Sequence, residues 1–185
     1  MKHPDQRVGI LIDVQNLYHS AKHLFGAKVN FREVVTQVLA GRKLIRAIAY
    51  DVEVDTKEKE AFLTALQKSG IEIRSKPLQE FAGGMKKGDW DVGLAMDAIK
   101  LGRNLDALVL VTGDGDFVPL VRYLQENSGA RIEVAAFRRS ASSALIAEVD
   151  DFIDLSTTEG VLLGGGKSDS EESHPSSKSA SRSKE

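Results

Sequence analysis

Apolar residues along the chain follow two alternating patterns, and each pattern predicts a different kind of element. Short unbroken apolar runs are typical of strands buried on both faces of a sheet. Between them, apolar residues recur every three or four positions, which is typical of helices with one buried side. The predicted strands are Val8–Ile12, Leu44–Tyr50, Ile71–Ser75, Ala107–Val111 and Arg131–Ala136, and Phe152–Leu155 is either a final strand or a packed extension. The predicted helices run from Val14 to Gly26, from Asn30 to Leu39, from Thr56 to Ser69, from Asp89 to Gly102, from Phe117 to Gln125 and from Ala141 to Glu148.

Local residues refine several of these helices. Four side chains are placed where an N-cap would begin a helix, namely Asn16, Asn30, Thr56 and Asp89. In the helix after Asp89, the predicted buried stripe consists of four apolar residues at helical spacing: Val92, Ala95, Met96 and Ile99. Between the third strand and this helix lies a glycine-rich basic segment, residues 81–88, for which we expect mobility or close approach to a ligand.

The alternation of strands and helices over residues 7–155 predicts an α/β fold with a mostly parallel central sheet and helices on both faces. Crossover connections between parallel strands should be right-handed. Beyond residue 164 the chain is rich in Gly, Ser, Lys and Glu and has almost no apolar residues. We therefore predict one domain over residues 1–158 and a disordered tail over residues 159–185.

The composition of the chain excludes several kinds of functional site. The chain has no cysteine, which excludes disulfides, zinc–thiolate sites and cysteine nucleophiles. Its formal net charge is -2, so a nucleic-acid partner would have to be held by a local basic patch. The first apolar run is too short for a signal or membrane segment, and we expect a soluble cytoplasmic protein without a membrane partner.

Carboxylates follow two of the predicted strands and begin one helix. Asp13 ends the first strand, and Asp114 and Asp116 follow the fourth strand, Ala107–Val111. Asp91 lies in the first turn of a helix. In a parallel sheet such strand ends meet at one edge, where ligands bind. Clustered carboxylates are typical ligands of Mg²⁺ or Mn²⁺, which can promote hydrolysis of a phosphodiester. Helix capping and Asp-Gly turns are the alternative explanation for each aspartate taken alone.

Three segments resemble, in order, the motifs of the NYN domain family, the LabA/DUF88-like branch of the PIN-like nuclease superfamily. They are Gly9-Ile10-Leu11-Ile12-Asp13-Val14-Gln15-Asn16-Leu17, then Lys87-Gly88-Asp89-Trp90-Asp91-Val92-Gly93-Leu94-Ala95-Met96-Asp97-Ala98, then Thr112-Gly113-Asp114-Gly115-Asp116-Phe117 followed by Pro119-Leu120. The resemblance covers the chain from about Arg7 to Leu155. It implies a PIN-like three-layer α/β/α sandwich and metal-dependent cleavage of RNA.

The resemblance also implies roles for individual residues. Asp13, Asp91, Asp114 and Asp116 match the family's acidic positions, and Asn16 matches an asparagine expected to orient Asp13 or a water. Asp97 falls on a motif position too. At about 100° per residue it lies about 120° around the helix from Asp91. We therefore expect Asp97 either to contact the metal ligands from behind or to have a structural role. Gly115 is a departure, because the family often has serine or another small polar residue there.

Basic and aromatic residues near the predicted edge are candidates for contacting RNA. Lys86, Lys87, Arg138 and Arg139 could bind phosphates, although solvated surface charge explains each pair equally well. Phe117 fits a core stripe better than a base-stacking role, and the role of Trp90 stays open. His19 and His23 lie one helical turn apart, but without a third ligand we interpret them as ordinary surface or interface residues.

Two functions from different classes follow. The first is a divalent-metal-dependent endoribonuclease in which, for want of a side-chain general base, the metal would activate water. The alternative is a catalytically inactive domain that binds RNA or protein as a regulatory module, and a homodimer is left open. A phosphohydrolase of the haloacid-dehalogenase type is disfavoured because Gln15 stands two positions after Asp13, where a second aspartate would be needed. No Walker A motif or dinucleotide glycine fingerprint indicates a nucleotide cofactor.

Overall fold

The structure is a computed structural model that describes residues 2–53, 57–77, 79–80, 86–87 and 90–164. For residues 53, 57–59, 77, 79–80 and 86–87 it describes the backbone only. The predicted cap Thr56, most of the glycine-rich segment 81–88, the predicted cap Asp89 and the tail beyond residue 164 lie outside the described residues.

A six-stranded parallel sheet forms the centre of the fold, in the order β4-β3-β1-β7-β8-β9. Its strands are β1 (Arg7–Asp13), β3 (Lys43–Glu53), β4 (Glu72–Pro77), β7 (Ala107–Val111), β8 (Arg131–Ala136) and β9 (Asp151–Asp154). Two short antiparallel pairs lie outside it: β2 (Lys28–Val29) with β10 (Leu162–Leu163), and β5 (Gln79–Glu80) with β6 (Lys86–Lys87). The predicted three-layer α/β/α sandwich with a mostly parallel sheet is confirmed.

Helices cover both faces of this sheet. They are α1 (Val14–Phe25), α2 (Phe31–Leu39), α3 (Lys57–Lys68), α4 (Asp91–Gly102), α5 (Val118–Asn127) and α6 (Ser143–Glu148). Alternate residues of the central strands point to opposite layers, so Ile10 and Val109 pack toward α1 and α2. Leu11 and Leu110 pack toward α4 and α5 instead. The unbroken apolar runs of β1 and β7 therefore exist because both faces of these strands are buried.

The N-cap prediction is confirmed for α2 and wrong for α1. Asn30 caps α2, since its side chain accepts a hydrogen bond from the Glu33 N–H at 3.3 Å. The N-cap of α1 is Asp13, and Asn16 lies within the first turn, so the prediction of Asn16 as the cap is wrong. The strand-end aspartate is thus in the position from which its carboxylate can accept from a helix N–H.

The predicted buried stripe of α4 is only half right: Ala95 and Ile99 pack against the core, but Val92 and Met96 do not. Val92 and Met96 are 76% and 50% exposed, whereas Asp97 is only 5% exposed. The helix is apolar nearly all round, so the spacing alone allows two stripes. Leu94 and Ala98 face the sheet because the buried contacts of Asp97, described below, fix the rotation of the helix.

The packed region continues beyond residue 158, the predicted end of the domain. Val161 is buried in the core on the α1 side, and its carbonyl oxygen accepts a 2.8 Å hydrogen bond from the Asn30 N–H. Leu162–Leu163 then pairs with β2. Apolar residues 161–163 supply this packing, so the packed part of the described chain extends past the predicted end of the domain. In the described part of the chain, no helix is long and apolar enough to cross a membrane.

Ion pairs join elements at the amino ends of the strands. Arg42, just before β3, donates two 2.8 Å hydrogen bonds to Glu133 of β8, and both side chains are buried. The same guanidinium donates to the carbonyl oxygens of Val38 and Leu39 at the end of α2. Nearer the surface, Arg7 donates through its backbone N–H and its guanidinium to Asp106.

Candidate functional site

Three of the predicted acidic residues surround one cavity at the carboxyl edge of the sheet. Asp13 ends β1, Asp91 begins α4, and Asp114 follows β7. Gln15, Asn16, Tyr50 and Trp90 complete its lining. Its volume of about 200 Å³ is sufficient for several water molecules, each of which occupies about 30 Å³ in the liquid.

Strand register explains why the first and third motifs meet. In the parallel β1–β7 pair, Ile12 lies opposite Val111, so Asp13 and Thr112 follow side by side. The Thr112 hydroxyl donates to Asp13 Oδ2 over 3.4 Å and accepts from the Asp114 N–H over 3.3 Å. One hydroxyl therefore links the carboxylate of β1 to the acidic turn after β7.

Asn16 supplies a second link between the same two motifs. Its backbone N–H donates to Asp13 Oδ1 over 3.0 Å. Its side-chain Oδ1 accepts from the Gly113 N–H over 2.9 Å. The asparagine therefore orients Asp13 through its main chain, and its side chain fixes the position of the acidic turn.

The environment of Asp13 raises its pKa to about 6, chiefly because the carboxyl is buried. The nearby charges of Asp91 and Asp114 raise this pKa further, while the hydrogen bonds from Asn16 and Thr112 lower it. This upward shift of the pKa shows that the surroundings of Asp13 disfavour its ionised form.

Asp116 is not brought into the cavity. Its side chain is exposed and is absent from the lining, and its backbone N–H donates to Asp114 Oδ1 over 2.9 Å. Asp116 therefore contributes to the shape of the turn through its main chain. Phe117, the next residue, is buried in the core beside α5, which confirms its predicted packing role.

Asp97 occupies a structural position behind the cavity wall. The Tyr50 hydroxyl donates to Asp97 Oδ2 over 2.7 Å, and Arg74 Nη1 forms an ion pair with the same oxygen at 2.7 Å. Burial and the adjacent carboxylate raise the pKa of Tyr50, so the phenol stays protonated and keeps donating. Asp97 thus holds Tyr50, which lines the cavity, while remaining outside it.

Sequence reasoning missed Tyr50 and Gln15 and left Trp90 undecided. Tyr50 lies opposite Asp13 in the β1–β3 register, and its place at the end of a predicted strand is the signal in the sequence that could have identified it. Trp90 Nε1 donates to the Asp51 carbonyl oxygen over 2.6 Å, and its ring centroid lies 5.5 Å from that of Tyr50. These two aromatic rings form one wall of the cavity.

The glycines of the acidic turn allow close packing against residues 140–142. A Cβ on Gly113 would lie 3.0 Å from the Ala141 Cα, and one on Gly115 would lie 2.7 Å from the Ser142 Oγ. The Ser142 N–H also donates to the Gly113 carbonyl oxygen over 2.9 Å. Gly115 is therefore explained by a shortage of space between the acidic turn and Ser142.

The predicted basic candidates have different surroundings. For Lys86 and Lys87 only the backbone, in β6, is described, so their side chains lie outside the described residues. Arg138 is engaged by Asp154 at 3.0 Å and lies 4.8 Å above the Phe152 ring. Arg139 is exposed on the 3₁₀ turn Arg138–Ser140.

The donor set fits a hydrated divalent cation. Carboxylate and amide oxygens are the ligands that Mg²⁺ and Mn²⁺ prefer. Among the residues that the structure describes, no three acidic or histidine side chains are arranged as a ready-made cage for an ion. Mg²⁺, however, usually binds through one or two carboxylates and keeps several waters, for which the cavity has room. A cation would also relieve the repulsion that raises the pKa of Asp13.

Comparisons with known proteins find a matching family model, a related sequence and a similar crystal structure. The family model described as the NYN domain matches residues 7–157. The chain is 27% identical over 158 residues to the low amplitude and bright protein LabA of Synechococcus elongatus, covering 80% of this chain and 83% of that protein. A crystal structure of a protein of unknown function from Vibrio parahaemolyticus superposes with a TM-score of 0.80 at 29% identity, covering 88% of this chain and 99% of that one.

Proposed function

The chain belongs to the NYN domain family, and from that premise we propose that it is an endoribonuclease that hydrolyses RNA with Mg²⁺ or Mn²⁺. The observation that carries the proposal is the convergence of Asp13, Asp91 and Asp114 on one cavity at the carboxyl edge of a parallel sheet. These three carboxylates are the residues that would hold the ion. Asp116 is left out of this set because its exposed side chain does not line the cavity.

Bound there, the ion would supply Lewis acidity at a phosphate oxygen and toward the attacking water. Within this chain, Thr112 and the Asn16 N–H keep the Asp13 carboxylate aimed from the end of β1. The Asn16 side chain holds Gly113 and so helps to place the Asp114 carboxylate at the cavity. Tyr50 and Trp90 form one aromatic wall of the cavity.

The test is cleavage of labelled RNA by the purified full chain with Mn²⁺, with Mg²⁺ and with EDTA. We expect cleavage with either ion and none with EDTA. Asp114→Asn should reduce the rate about 100-fold or more, because a carboxylate ligand is replaced by a neutral amide. Asp116→Asn is the matched control, since it changes a neighbouring aspartate outside the cavity, and its rate should stay within a few-fold of wild type.

Cleavage that EDTA leaves unchanged, or full activity in Asp114→Asn, would contradict the metal-dependent mechanism. Equal losses in Asp114→Asn and Asp116→Asn would show that the ligand set is wrong.

One observation favours the alternative of a binding module without catalysis. In the described part of the chain, the acidic side chains do not form a preorganised ion cage. A domain that had kept the fold for binding alone would show RNA affinity without metal-dependent turnover. Measuring affinity beside cleavage therefore separates the two functions.

A further inference from the structure

Two of the segments that lack acidic residues in this slightly acidic chain lie near the cavity. The sequence has 27 Asp and Glu residues, yet none falls in residues 14–32 or 134–147. The first segment contains α1 and carries Lys22, Lys28 and Arg32, and the second carries Arg138 and Arg139. A negative partner would therefore meet little repulsion from either segment itself.

The two segments lie next to each other and beside the cavity. The 3₁₀ turn Arg138–Ser140 packs against α1. The Phe25 ring at the end of α1 lies 5.3 Å, between centroids, from the Phe137 ring that precedes this turn. Both segments are also bonded to the acidic turn, through the Asn16 side chain and the Ser142 N–H, which meet at Gly113. Together they form one surface that borders the carboxylates.

On α1, a stripe of outward-facing side chains leads away from the cavity. Gln15 lines the cavity, Tyr18 and His19 follow three and four positions later, and Lys22 and His23 follow one turn beyond. Residues at these spacings share one face of a helix, and the stripe is about 10 Å long at 1.5 Å per residue. Its last four members are exposed.

The surface formed by α1 and the 3₁₀ turn combines an exposed aromatic ring with cationic side chains. Tyr18 is 40% exposed and is one of six large apolar or aromatic side chains that are exposed among the described residues. The His19 ring meets it edge-on at 5.5 Å, and Lys22 Nζ lies 6.0 Å from its centroid. Across the surface, Arg139 is exposed, whereas Arg138 is already neutralised by Asp154.

An exposed aromatic ring beside cations matches a polymer that carries both flat bases and phosphates. Base–aromatic stacking requires an unpaired base, since paired bases within a duplex do not present their faces. Lysine and arginine bind the phosphates without regard to sequence. We propose that single-stranded RNA leaves the cavity across α1, with a base stacked on Tyr18 and phosphates bound by Lys22 and Arg139. That the polymer is RNA rests on the proposed function.

The chain offers matched control residues on the other side of the sheet. Tyr123 of α5 is 41% exposed, nearly the same as Tyr18, and Lys100 in the last turn of α4 is exposed like Lys22. Neither belongs to the surface formed by α1 and the 3₁₀ turn. Substitutions at Tyr123 and Lys100 therefore change the same chemistry at a place where we expect no RNA.

The experiment measures binding of the full chain to fluorescein-labelled oligouridine by anisotropy, in EDTA so that cleavage does not interfere. Tyr18→Ala should weaken binding about tenfold or more, and Tyr18→Phe, which keeps the ring, should bind nearly as wild type. Lys22→Ala and Arg139→Ala should each weaken binding and reduce the salt dependence by about one phosphate contact. Tyr123→Ala and Lys100→Ala should bind as wild type.

Wild-type affinity in both Tyr18→Ala and Lys22→Ala, or tighter binding of duplex RNA than of the single strand, would overturn the inference. Absence of oligouridine binding by wild type would overturn it too. A changed oligomeric state in Tyr18→Ala with unchanged RNA affinity would assign the surface to a second copy of the chain and equally overturn it.

A cleavage assay on the same variants separates this inference from the proposed function. Metal-dependent cleavage by wild type, with Tyr18→Ala raising KM and leaving kcat nearly unchanged, supports both. Tyr18-dependent binding without any turnover supports the RNA surface and contradicts the ribonuclease. If wild type cleaves RNA, and Tyr18→Ala and Lys22→Ala change neither KM nor affinity, the result supports the ribonuclease and contradicts the proposed RNA-binding surface.

Discussion

The two ends of the parallel sheet hold their acidic side chains in opposite ways. At the amino ends, Glu133 is bound by both arms of Arg42, and Asp106 is bound by Arg7. At the carboxyl ends, the described contacts of Asp13 come from neutral groups, the Asn16 N–H and the Thr112 hydroxyl, with Asp91 and Asp114 nearby. The same residue type is therefore neutralised at one end and placed among other negative charges at the other.

The direction of the pKa shifts follows this difference. The Arg7 guanidinium lowers the pKa of Asp106, whereas burial and two carboxylates raise the pKa of Asp13 to about 6. In an ion pair within the fold, the two opposite charges stabilise the contact between two elements. A carboxylate that the fold does not pair with a cation can instead bind a cation from outside, and carboxylates with perturbed pKa values concentrate at functional sites.

The largest expected effect comes from breaking the buried pair at the amino end. Arg42→Met leaves Glu133 buried without its main partner and removes the hydrogen bonds to the end of α2. The free energy of unfolding should fall by about 3 to 5 kcal/mol. Urea denaturation monitored by circular dichroism measures it.

The double variant Arg42→Met, Glu133→Leu is the control for this prediction. Removing both charges should restore a large part of the loss, since no charge is then left buried alone. If the double variant is as unstable as Arg42→Met, the pair contributes through shape and the contrast between the two ends is weakened.

The next effect is a pH dependence of stability that originates at the carboxyl end. Since the pKa of Asp13 is raised in the folded state from 3.8 to about 6, the folded chain binds this proton more tightly than the unfolded chain. The free energy of unfolding should therefore fall as pH rises from about 4 to 6, by up to about 3 kcal/mol. Denaturation at several pH values, for wild type and for Asp13→Asn, measures the contribution.

Asp13→Asn keeps an oxygen that can accept from the Asn16 N–H but has no proton to lose in this range. Its stability should lack this part of the pH dependence. A curve parallel to wild type would mean that another group is responsible.

A smaller effect is expected from crowding the acidic turn. Gly115→Ser places a Cβ 2.7 Å from the Ser142 Oγ and 3.0 Å from its Cβ. The turn or residues 140–142 must shift, at a cost of about 1 to 2 kcal/mol. Thermal unfolding measures the loss, and adding Ser142→Gly should recover it because both obstructing atoms disappear. A double variant no more stable than Gly115→Ser would show that the space around Ser142 is not the reason for this glycine.

The smallest effect is expected at the exposed ion pair of the amino end. Arg7→Gln removes the guanidinium from Asp106 but keeps the hydrogen bond from the backbone N–H of residue 7. Solvent screens this pair, so the urea midpoint should change little. A loss comparable to that of Arg42→Met would show that exposure does not separate the two pairs.

Much of the fold could be predicted because it depends on patterns local in the sequence. The apolar runs of β1 and β7, the cap at Asn30 and the stripe of α5 are all set by nearby residues. The three cavity aspartates were identified for a related reason, since each lies at the end of a strand or the start of a helix.

What could not be predicted depends on residues distant in the sequence. The rotation of α4 follows from the bonds of Asp97 to Tyr50 and Arg74, which belong to two other elements. Likewise, the need for glycine at position 115 arises from Ser142. Asp116 fits the motif as well as Asp114 does, and only the shape of the turn separates the two.

The hydrogen bond from the Gly113 N–H to the Asn16 side chain also constrains when the cavity can form. Its partners are 97 positions apart, and strands β1 and β7 become neighbours only after β3, β4 and α4 have been synthesised between them. Contacts of such large sequence separation close slowly and late in folding. During translation the chain therefore carries its first aspartate and its exposed α1 face before the cavity exists. Any cleavage activity would begin only once the third motif has left the ribosome.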